Sequence, residues 1–408
     1  MHVLYVLPHP PTSTTSGGAQ RSARLRLVLG SADTVYLPST PSERAVPPVP
    51  APAAEASRSW HLSYSKIERD FSKGLGIGSF PPIGKGLHAF ALAGRHRWGP
   101  YRPLIAEVGD LSRYDLVVAR YLSSACILDL FRHPRLIIDV DDYDPDRLRQ
   151  RIAGSNWFKN LTLRRCLRFS EAAHRELLPR AAHCWVSNPD DRRHPGLADA
   201  TLLPNIPYFP AGLPAPALPP AADLPPVFLV VGTLSYSANS DGIDAFLRDA
   251  WPAVRDQVPT AELHIVGHSL SPAQRARWSR FPGVKAIGFV EHLPESYARC
   301  TATIAPILAG GGTNIKVLES CAYGRPCVVS RVAHRGFEQT LPAGEACLRA
   351  ETIGEMADAC LRLLREPALA ARIGARGREA IETHYTPAVF AAAVNAGIHK
   401  VLQGRRPA

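Results

Sequence analysis

The chain has 408 residues, more than one ordinary hydrophobic core serves, so two or three domains are expected. Hydrophobic residues make up 46% of it, and this share excludes an intrinsically disordered chain. The formal net charge of +11 suits a polyanionic partner, an acidic membrane surface or an anionic substrate, although a general abundance of Arg, Ala and Pro explains it equally well. Neither zinc-finger spacing nor a basic helix with heptads occurs, so no nucleic-acid partner is expected.

Eight cysteines are present, none of them in a C-x-x-C pair, and most lie in apolar surroundings. They are predicted to be reduced and buried. The apolar run Val3–Leu7 is too short for the hydrophobic part of a signal peptide, and no apolar window approaches the length that a membrane-spanning helix needs. We expect a cytoplasmic protein without a transmembrane helix.

The first half of the chain begins with a predicted strand at His2–Leu7. A loop rich in Pro, Ser and Thr follows and ends in Gly17 and Gly18. The pattern then predicts a helix over Ala19–Leu29 and a second short strand at Val35–Leu37.

Residues 58–102 alternate basic and aromatic side chains. Such interleaving can mark a surface that faces anionic lipid headgroups. It also occurs in amphipathic helices with solvated charges and a core-facing side. Both interpretations stay open for this region.

Regular structure returns with predicted strands at Leu116–Ala119 and Leu136–Val140. Five aspartates between residues 139 and 146 crowd the carboxyl end of the second of these strands. A helical pattern follows over Phe158–Leu178.

Residues 204–226 carry nine prolines and form the clearest linker in the chain. Beyond the linker, strands of about five residues alternate with helices, which predicts a parallel, doubly wound sheet. The chain therefore reads as two Rossmann-like domains, residues 1–205 and 206–385, facing each other across a cleft. A last helix over about residues 386–403 is expected to pack back on the first domain.

The glycine loop Gly310–Asn314 lies between a predicted strand and a short helix. Free backbone N–H groups at a helix start, without a Cβ to obstruct approach, suit a phosphate. Lys316 and Glu319 share one face of that helix, and Glu319 lies about 9 Å beyond Thr313 along the axis. A nucleoside diphosphate laid along the helix would fit this spacing. A plain loop followed by a helix with a surface ion pair would show the same sequence pattern.

The second half resembles the GT-B glycosyltransferases of family 4, and the resemblance covers roughly residues 227–385. It rests on five stretches in the family's order: Val231–Leu234, Leu263–Gly267, Ile287–Val290, Gly310–Glu319 and Ala322–Ser330. The first half matches more loosely, at Gly17, Gly18 and Leu203–Asn205.

This resemblance implies an enzyme that moves a sugar from a nucleotide sugar to a hydroxyl with retention, needing no cofactor and no metal. It places the donor on the glycine loop, with further contacts near the first and third strands of the second domain: Gly311, Gly312, Thr313, Asn314, Thr233, Phe289 and Val290. Lys316 and Glu319 would act on the leaving diphosphate and on the ribose.

The resemblance also places an acceptor against the first domain, near Gly17, Gly18 and Arg120, with Asp141 as a catalytic residue. For Asp141 three interpretations stay open: orientation of the acceptor or stabilisation of a positively charged sugar in the transition state, a ligand to a metal, or a cap of the next helix. A glycan or lipid-linked acceptor is implied, and the latter would suit the basic and aromatic region at an anionic membrane surface.

Two departures from the family pattern stand out. The first of two glutamates that often flank the loop is replaced by Gly311, and no basic pair occurs in Ser235–Asp241. Lys316 is then the main candidate cation, and Asn239 is predicted to be a helix N-cap.

Other functions compete with glycosyl transfer. A sugar-nucleotide 2-epimerase or a phosphorylase can use the same scaffold, and a protein that binds a nucleotide sugar without chemistry would explain the loss of a carboxylate at Gly311. An NAD-dependent oxidoreductase needs Gly-x-Gly-x-x-Gly after the first strand, and neither half shows it. The donor sugar, the nucleobase and the acceptor stay open.

Overall fold

The computed structural model describes residues 1–8, 17–37, 58–61, 102–153, 157–207, 209, 212–214, 226–310 and 313–404. The chain divides into two compact units, one of Met1–Pro204 with Phe390–Ala408 and the other of Asn205–Val389. Each unit contains its own parallel sheet. Most of the basic and aromatic region 58–102 lies outside the described residues, so its surface role stays a prediction.

The first unit contains a seven-stranded sheet in the order β3-β2-β1-β4-β5-β6-β7, with every neighbouring pair parallel. Its strands are β1 (Val3–Leu7), β2 (Asp33–Tyr36), β3 (Ser59–His61), β4 (Leu116–Arg120), β5 (Leu136–Asp141), β6 (His183–Val186) and β7 (Thr201–Leu202). Strands β1, β4 and β5 are buried along their whole length, the pattern of a parallel sheet covered on both faces. The strand order reverses between β1 and β4, and α/β sheets bind ligands at such a reversal.

In the part of the chain that the structure describes, the helices of the first unit that come before the second unit are α1 (Gly17–Leu29), α2 (Arg102–Val108), α3 (Leu122–Ile127), α4 (Asp144–Ala153) and α5 (Trp157–Leu177). Helices α1, α3 and α4 each follow a central strand of the sheet in the chain. Their first residues therefore lie near the carboxyl edge of the sheet, where a functional site is expected.

The second unit contains a six-stranded sheet in the order β10-β9-β8-β11-β12-β13, again parallel throughout. Its strands are β8 (Val227–Val231), β9 (Glu262–Val266), β10 (Val284–Gly288), β11 (Ala302–Ala305), β12 (Cys327–Ser330) and β13 (Leu348–Ala350). The helices are α6 (Ser237–Asp249), α7 (Trp251–Gln257), α8 (Pro272–Trp278), α9 (Leu293–Arg299), α10 (Ile315–Ala322), α11 (Arg331–His334), α12 (Met356–Arg365) and α13 (Pro367–His384).

The last helix, α14 (Pro387–Gln403), belongs from Phe390 onward to the first unit. It packs closely there, since a Cβ built on Gly397 would lie 2.2 Å from Trp185 Nε1. Lys400 Nζ also donates to the carbonyl oxygen of Asp199 at 3.3 Å.

The predicted fold class, α/β with two Rossmann-like parallel sheets, is confirmed. One helix predicted from the alternation beyond the linker is instead two, α6 and α7, with a break at Ala250. The break has a physical reason, because Pro252 is tolerated in the first turn of α7 but would have disrupted a continuous helix. Strands β3 and β13 were not predicted, since three residues are too few to show a period. In the part of the chain that the structure describes, no helix is long and apolar enough to span a bilayer.

Candidate active site

In the second unit the strand order reverses between β8 and β11, and a helix begins after each of these strands. Helix α6 follows β8, and helix α10 follows β11. The loop after β11 lies against the start of α6, because a Cβ built on Gly310 would lie 3.7 Å from Ala238 Cβ and 3.8 Å from Tyr236 Oη. The unpaired N–H groups and partial positive charges of two helix N-termini therefore come together at one edge of the sheet.

Lys316 lies in the first turn of α10 and reaches the start of α6. Its Nζ donates a hydrogen bond to Asn239 Oδ1. A Cβ built on Gly232, directly after β8, would lie 3.1 Å from this Nζ and 2.8 Å from Asn239 Nδ2, so a side chain there would displace both groups. Burial lowers the pKa of the Lys316 ammonium to about 8, and the nearby Glu319 carboxylate offsets part of that shift. At neutral pH the ammonium adds a full positive charge to the two helix starts.

Glu319 lies one turn further along α10. Tyr297 Oη donates a 3.1 Å hydrogen bond to Glu319 Oε2. Tyr297 is buried and stacks on Tyr323 with 4.5 Å between ring centroids. Burial, and then the Glu319 carboxylate, raise the pKa of Tyr297 well above its usual value, so the phenol keeps its proton. The carboxylate is thus held by a rigid donor and can accept further hydrogen bonds from sugar hydroxyls.

The glycine loop itself is described only in part, because Gly311 and Gly312 lie outside the described residues. Thr313 Oγ1 accepts a 2.6 Å hydrogen bond from Asn205 Nδ2. Asn314 is the N-cap residue of α10, but its side chain donates to a backbone carbonyl at 3.3 Å instead of capping the helix. The start of α10 therefore lacks its own side-chain cap, which suits the binding of an anion there.

The residues predicted to flank a base lie on the same edge of the sheet. Phe289 follows β10 and is 58% exposed, and its ring lies 4.5 Å from that of His268, which follows β9. Val290 packs against the buried cluster that includes Tyr297. Thr233 lies two residues beyond the end of β8. The exposed aromatic ring of Phe289, at the same edge of the sheet as Lys316, offers a stacking surface for a planar ring.

In the first unit, Gly17 and Gly18 are the first two residues of α1, and both are partly buried. They follow residues 9–16, which lie outside the described residues. Helix α1 comes after β1, and β1 borders the reversal of strand order in this sheet. The structure thus places the start of α1 at the edge where a ligand of this unit is expected.

A buried network of charges lies beside this edge. Asp139 accepts hydrogen bonds from Arg21 and Arg120, both at 2.9 Å to Oδ2. Arg120 Nη2 also donates to Asp141 Oδ2 at 2.8 Å and to Tyr121 Oη at 2.8 Å. Two guanidinium groups and two carboxylates balance in charge, which is what allows them to be buried together.

Two residues of this network have backbone conformations that side chains rarely adopt. Tyr121, directly after β4, has φ 65° and ψ 146°, and Asp141, at the end of β5, has φ 57°. Such conformations cost about 1–3 kcal/mol each and persist only where surrounding contacts hold them. Here Arg120 bonds to both side chains, and Ser187 donates to the Asp141 carbonyl from its N–H at 3.2 Å and from its Oγ at 3.0 Å. Strain of this kind clusters at functional sites.

These contacts change the interpretation of two predicted residues. Arg120 has no exposed surface, and its side chain holds Asp139, Asp141 and Tyr121 in place. Asp141 is also buried, and its carboxylate is engaged by arginine and not by a cluster of other carboxylates. Further along the chain, Asp144 and Asp146 lie in the first turn of α4, where negative charge interacts favourably with the helix dipole.

Replacement of Arg120 by methionine is expected to lower the free energy of unfolding by about 3–5 kcal/mol, because two buried carboxylates then lose a cation. Chemical denaturation of the full chain measures this change. Arg132→Met is the matched control, since Arg132 is 78% exposed and pairs with Asp129 at the surface. The control should cost less than about 1 kcal/mol. Equal losses in the two variants would contradict a buried network.

Within the described ranges, the side chains grouped closely enough to hold a metal are Asp146, Asp191 and His194. Asp146 already accepts hydrogen bonds from Arg149, from Arg193 at 3.0 Å and from His194 at 3.0 Å. Two guanidinium groups on one carboxylate supply the positive charge that a metal would bring. This donor set does not favour a metal.

Two residues of the site have contacts that the sequence did not predict. Asn239, predicted to be an N-cap, is instead the third residue of α6, and the N-cap position is held by Tyr236. Its amide lies inside the site because Lys316 and the Thr233 carbonyl both bond to it. Tyr297 lies on another helix and carries no local motif. The missing basic pair near Asn239 indicated only that Lys316 is the main candidate cation, and it gave no sign of the contact between the two residues.

Comparison with known proteins extends these observations. Residues 225–366 match the family described as glycosyl transferases group 1. No curated protein sequence matches the chain. Among solved structures, sucrose-phosphate synthase from Thermosynechococcus elongatus aligns with a TM-score of 0.67 at 16% identity, over 97% of this chain and 98% of that one.

Two further structures align over nearly their whole length. They are α,α-trehalose-phosphate synthase (UDP-forming) from Burkholderia vietnamiensis, with TM-score 0.62, 12% identity and coverage of 98% and 100%, and HepE from Anabaena in complex with UDP and glucose, with TM-score 0.60, 13% identity and coverage of 97% and 99%. The chain has the GT-B fold. At these identities the likeness establishes the fold, while the group 1 domain supports glycosyl transfer from a nucleotide sugar as the general activity of this GT-B chain.

Proposed function

We propose that this GT-B chain transfers a sugar from a nucleoside-diphosphate sugar to a hydroxyl of a glycan, lipid-linked or other glycoconjugate acceptor, with retention of configuration. The observation that carries the proposal is the meeting of two helix N-termini and the Lys316 ammonium at the reversal of strand order in the second unit. Such a site suits a compact dianion, and a diphosphate is the leaving group of glycosyl transfer from a nucleotide sugar.

The barrier to this reaction is charge separation between an oxocarbenium-like sugar and a departing diphosphate. Backbone N–H groups from Gly311 to Asn314 and the Lys316 ammonium would stabilise the departing anion. No bound metal is needed in this proposal, because fixed positive charge already faces the phosphates. Glu319, oriented by Tyr297, would accept hydrogen bonds from the ribose hydroxyls.

The nucleobase would lie on the far side of the ribose, between Phe289 and Val290 on one side and Thr233 on the other. The exposed ring of Phe289 beside His268 supports this placement. Structures of Anabaena HepE contain UDP and UDP-glucose, which makes uridine the first base to test. We also propose a hexosyl donor, because one of these structures contains UDP-glucose.

The acceptor would bind to the first unit, at the edge formed by Gly17, Gly18 and the end of β5. Asp141 would orient the acceptor hydroxyl or stabilise positive charge on the sugar. Arg120 would act on the acceptor only through Asp141 and Tyr121, because it is fully buried. Retention rests on the resemblance to family 4 and not on any measured spacing.

A lipid-linked acceptor would bring the protein to the inner face of a membrane as a peripheral, otherwise cytoplasmic enzyme. The net charge of +11 and the basic and aromatic residues between 58 and 102 favour this location. Sedimentation with vesicles of anionic lipid, compared with neutral vesicles, tests it.

A non-catalytic nucleotide-sugar-binding protein, or a 2-epimerase on the same scaffold, is the second candidate. The glycine at position 311, where related sequences often carry a carboxylate, favours it. Incubation with the donor alone separates the candidates: an epimer indicates the epimerase, and a bound but unchanged donor indicates a binding protein.

A thermal-shift panel with UDP, GDP, ADP, TDP and their sugars tests the proposed function. The preferred nucleoside diphosphate, at about 100 times its Kd, should raise Tm by about 3 °C for a chain of this length, because ligand binding adds about 2.7 kcal/mol to the stability of the native state. Inorganic phosphate at the same concentration is the control and should shift Tm far less. A panel in which no nucleotide raises Tm would contradict the proposal.

A further inference from the structure

The side-chain amide of Asn239 connects two parts of the candidate diphosphate-binding site, the Thr233 carbonyl after β8 and the Lys316 ammonium on α10. Its Nδ2 donates to the Thr233 carbonyl at 2.9 Å, and its Oδ1 accepts from Lys316 Nζ. The orientation of the amide is determined by its partners, because a carbonyl can only accept and an ammonium can only donate. Asn239 is buried to 8% exposure, so both of these bonds are shielded from water.

Among the residues that the structure describes, three titratable groups surround the Lys316 ammonium. The titratable groups that face it are Glu319 on α10, the Cys327 thiol on β12 and the Tyr297 phenol on α9. Burial raises the pKa of the Cys327 thiol to about 11 and that of Tyr297 well above its usual value, so both are neutral. Glu319 carries the one formal negative charge of this group, and its carboxylate is oriented by Tyr297.

We propose that Asn239 is a positioning residue that holds the Lys316 ammonium toward the diphosphate of the nucleotide without neutralising its charge. The inference rests on the proposed function and adds a residue to it. Asparagine supplies an acceptor oxygen of the same reach as aspartate but carries no charge. The ammonium is therefore fixed in direction and keeps its attraction for an arriving anion.

Aspartate at this position would have the opposite effect. It would form a buried ion pair with Lys316 and place a negative charge where the diphosphate binds. The Asn239→Asp variant should consequently bind a diphosphate more weakly than the native chain, and it also loses the donor to the Thr233 carbonyl. A purely structural role for Asn239 predicts no change in the pH dependence of that binding.

The pH dependence of binding gives a second readout. Because the pKa of Lys316 in the free protein is about 8, the ammonium loses its proton above that pH and diphosphate affinity falls. From pH 7 to pH 9 the loss should be about tenfold, provided the bound anion keeps the ammonium protonated. In Asn239→Asp the added carboxylate raises the pKa of Lys316, so the fall should move to higher pH.

Titration calorimetry of the full chain tests the proposal, with UDP and inorganic pyrophosphate as the probes and pH varied from about 6.5 to 9.5. Pyrophosphate isolates the diphosphate contact from the base and the ribose. Asn239→Asp should weaken the binding of both probes at least tenfold at pH 7 and shift the fall in affinity to higher pH. Asn239→Ala should weaken the binding of both probes several-fold, since the ammonium loses the amide that orients it. The fall in affinity should stay near pH 8 in this variant.

Ser240→Asp is the matched control, because it adds the same charge to the next residue of α6. It should change either affinity by less than threefold. Asn239→Asp affinities and pH profiles equal to those of the native chain would overturn the role of Asn239 while leaving the proposed function intact. If the native chain binds neither UDP, pyrophosphate nor any other nucleoside diphosphate, the proposed function fails, and this inference fails with it. Should Asn239→Asp not fold, Asn239→Ala decides alone, and native affinity in that variant overturns the inference.

Discussion

Replacement of Lys316 by alanine is expected to lower kcat for consumption of the preferred nucleotide sugar by about 10²–10³-fold. The ammonium is the main cation that the described residues bring to the two helix starts, and its effect grows as charge develops on the leaving diphosphate. Steady-state release of the nucleoside diphosphate, at saturating sugar nucleotide, measures the change.

Lys285→Ala is the control for this experiment. Lys285 lies on β10, is 55% exposed and pairs with Glu262 at 2.7 Å, away from the helix starts. Its loss should leave kcat within about twofold, since an exposed ion pair contributes little. Circular dichroism of both variants shows whether the fold is kept. Near-native turnover in a folded Lys316→Ala protein would refute the placement of the diphosphate.

Replacement of Glu319 by alanine is expected to weaken nucleoside-diphosphate binding by about 10–100-fold, because hydrogen bonds from the ribose to a charged acceptor are lost. Glu319→Gln keeps the shape and one acceptor oxygen, so its loss should be smaller. Calorimetry with the nucleotide chosen by the thermal-shift panel measures both variants.

A cycle with 2′-deoxy-UDP separates the ribose contact from a general effect on the site. The native chain should bind UDP more tightly than its deoxy analogue, and Glu319→Ala should bind the two alike. Tyr297→Phe removes the donor that orients the carboxylate and should reduce the preference for UDP only in part. An unchanged preference in Glu319→Ala would show that Glu319 does not contact the ribose.

Much of the fold could be predicted from local patterns in the sequence. Short buried strands alternating with helices beyond the proline-rich linker predict a parallel sheet, since each strand must be apolar on both faces. The spacing of Lys316 and Glu319 on one helix face after a glycine loop likewise predicts a nucleotide site, because three residues make nearly one helical turn. These features depend on neighbours in the chain and so appear in the sequence.

The first unit was harder to predict from the sequence, because fewer of its features depend on neighbours in the chain. Strand β3 has three residues, and the residues that precede it, 38–57, carry no regular period. Arg120 follows a buried strand, where an exposed ligand contact and a buried ion pair look alike in sequence. The tertiary structure decides for the buried ion pair, because the packing of α1 against the sheet brings Arg21 to Asp139 and completes a buried network around Arg120.

The sequence alone thus determined the two-sheet architecture and the placement of Lys316 and Glu319 about one turn apart on one helix. The tertiary structure decided that Asn239 holds Lys316, that Tyr297 holds Glu319, and that Arg120 is buried among carboxylates. The physical reason is distance along the chain: Asn239 and Lys316 are 77 residues apart, and Arg21 and Asp139 are 118 apart. Contacts of that range form when strands take their places in the sheets, and no local period in the sequence encodes them.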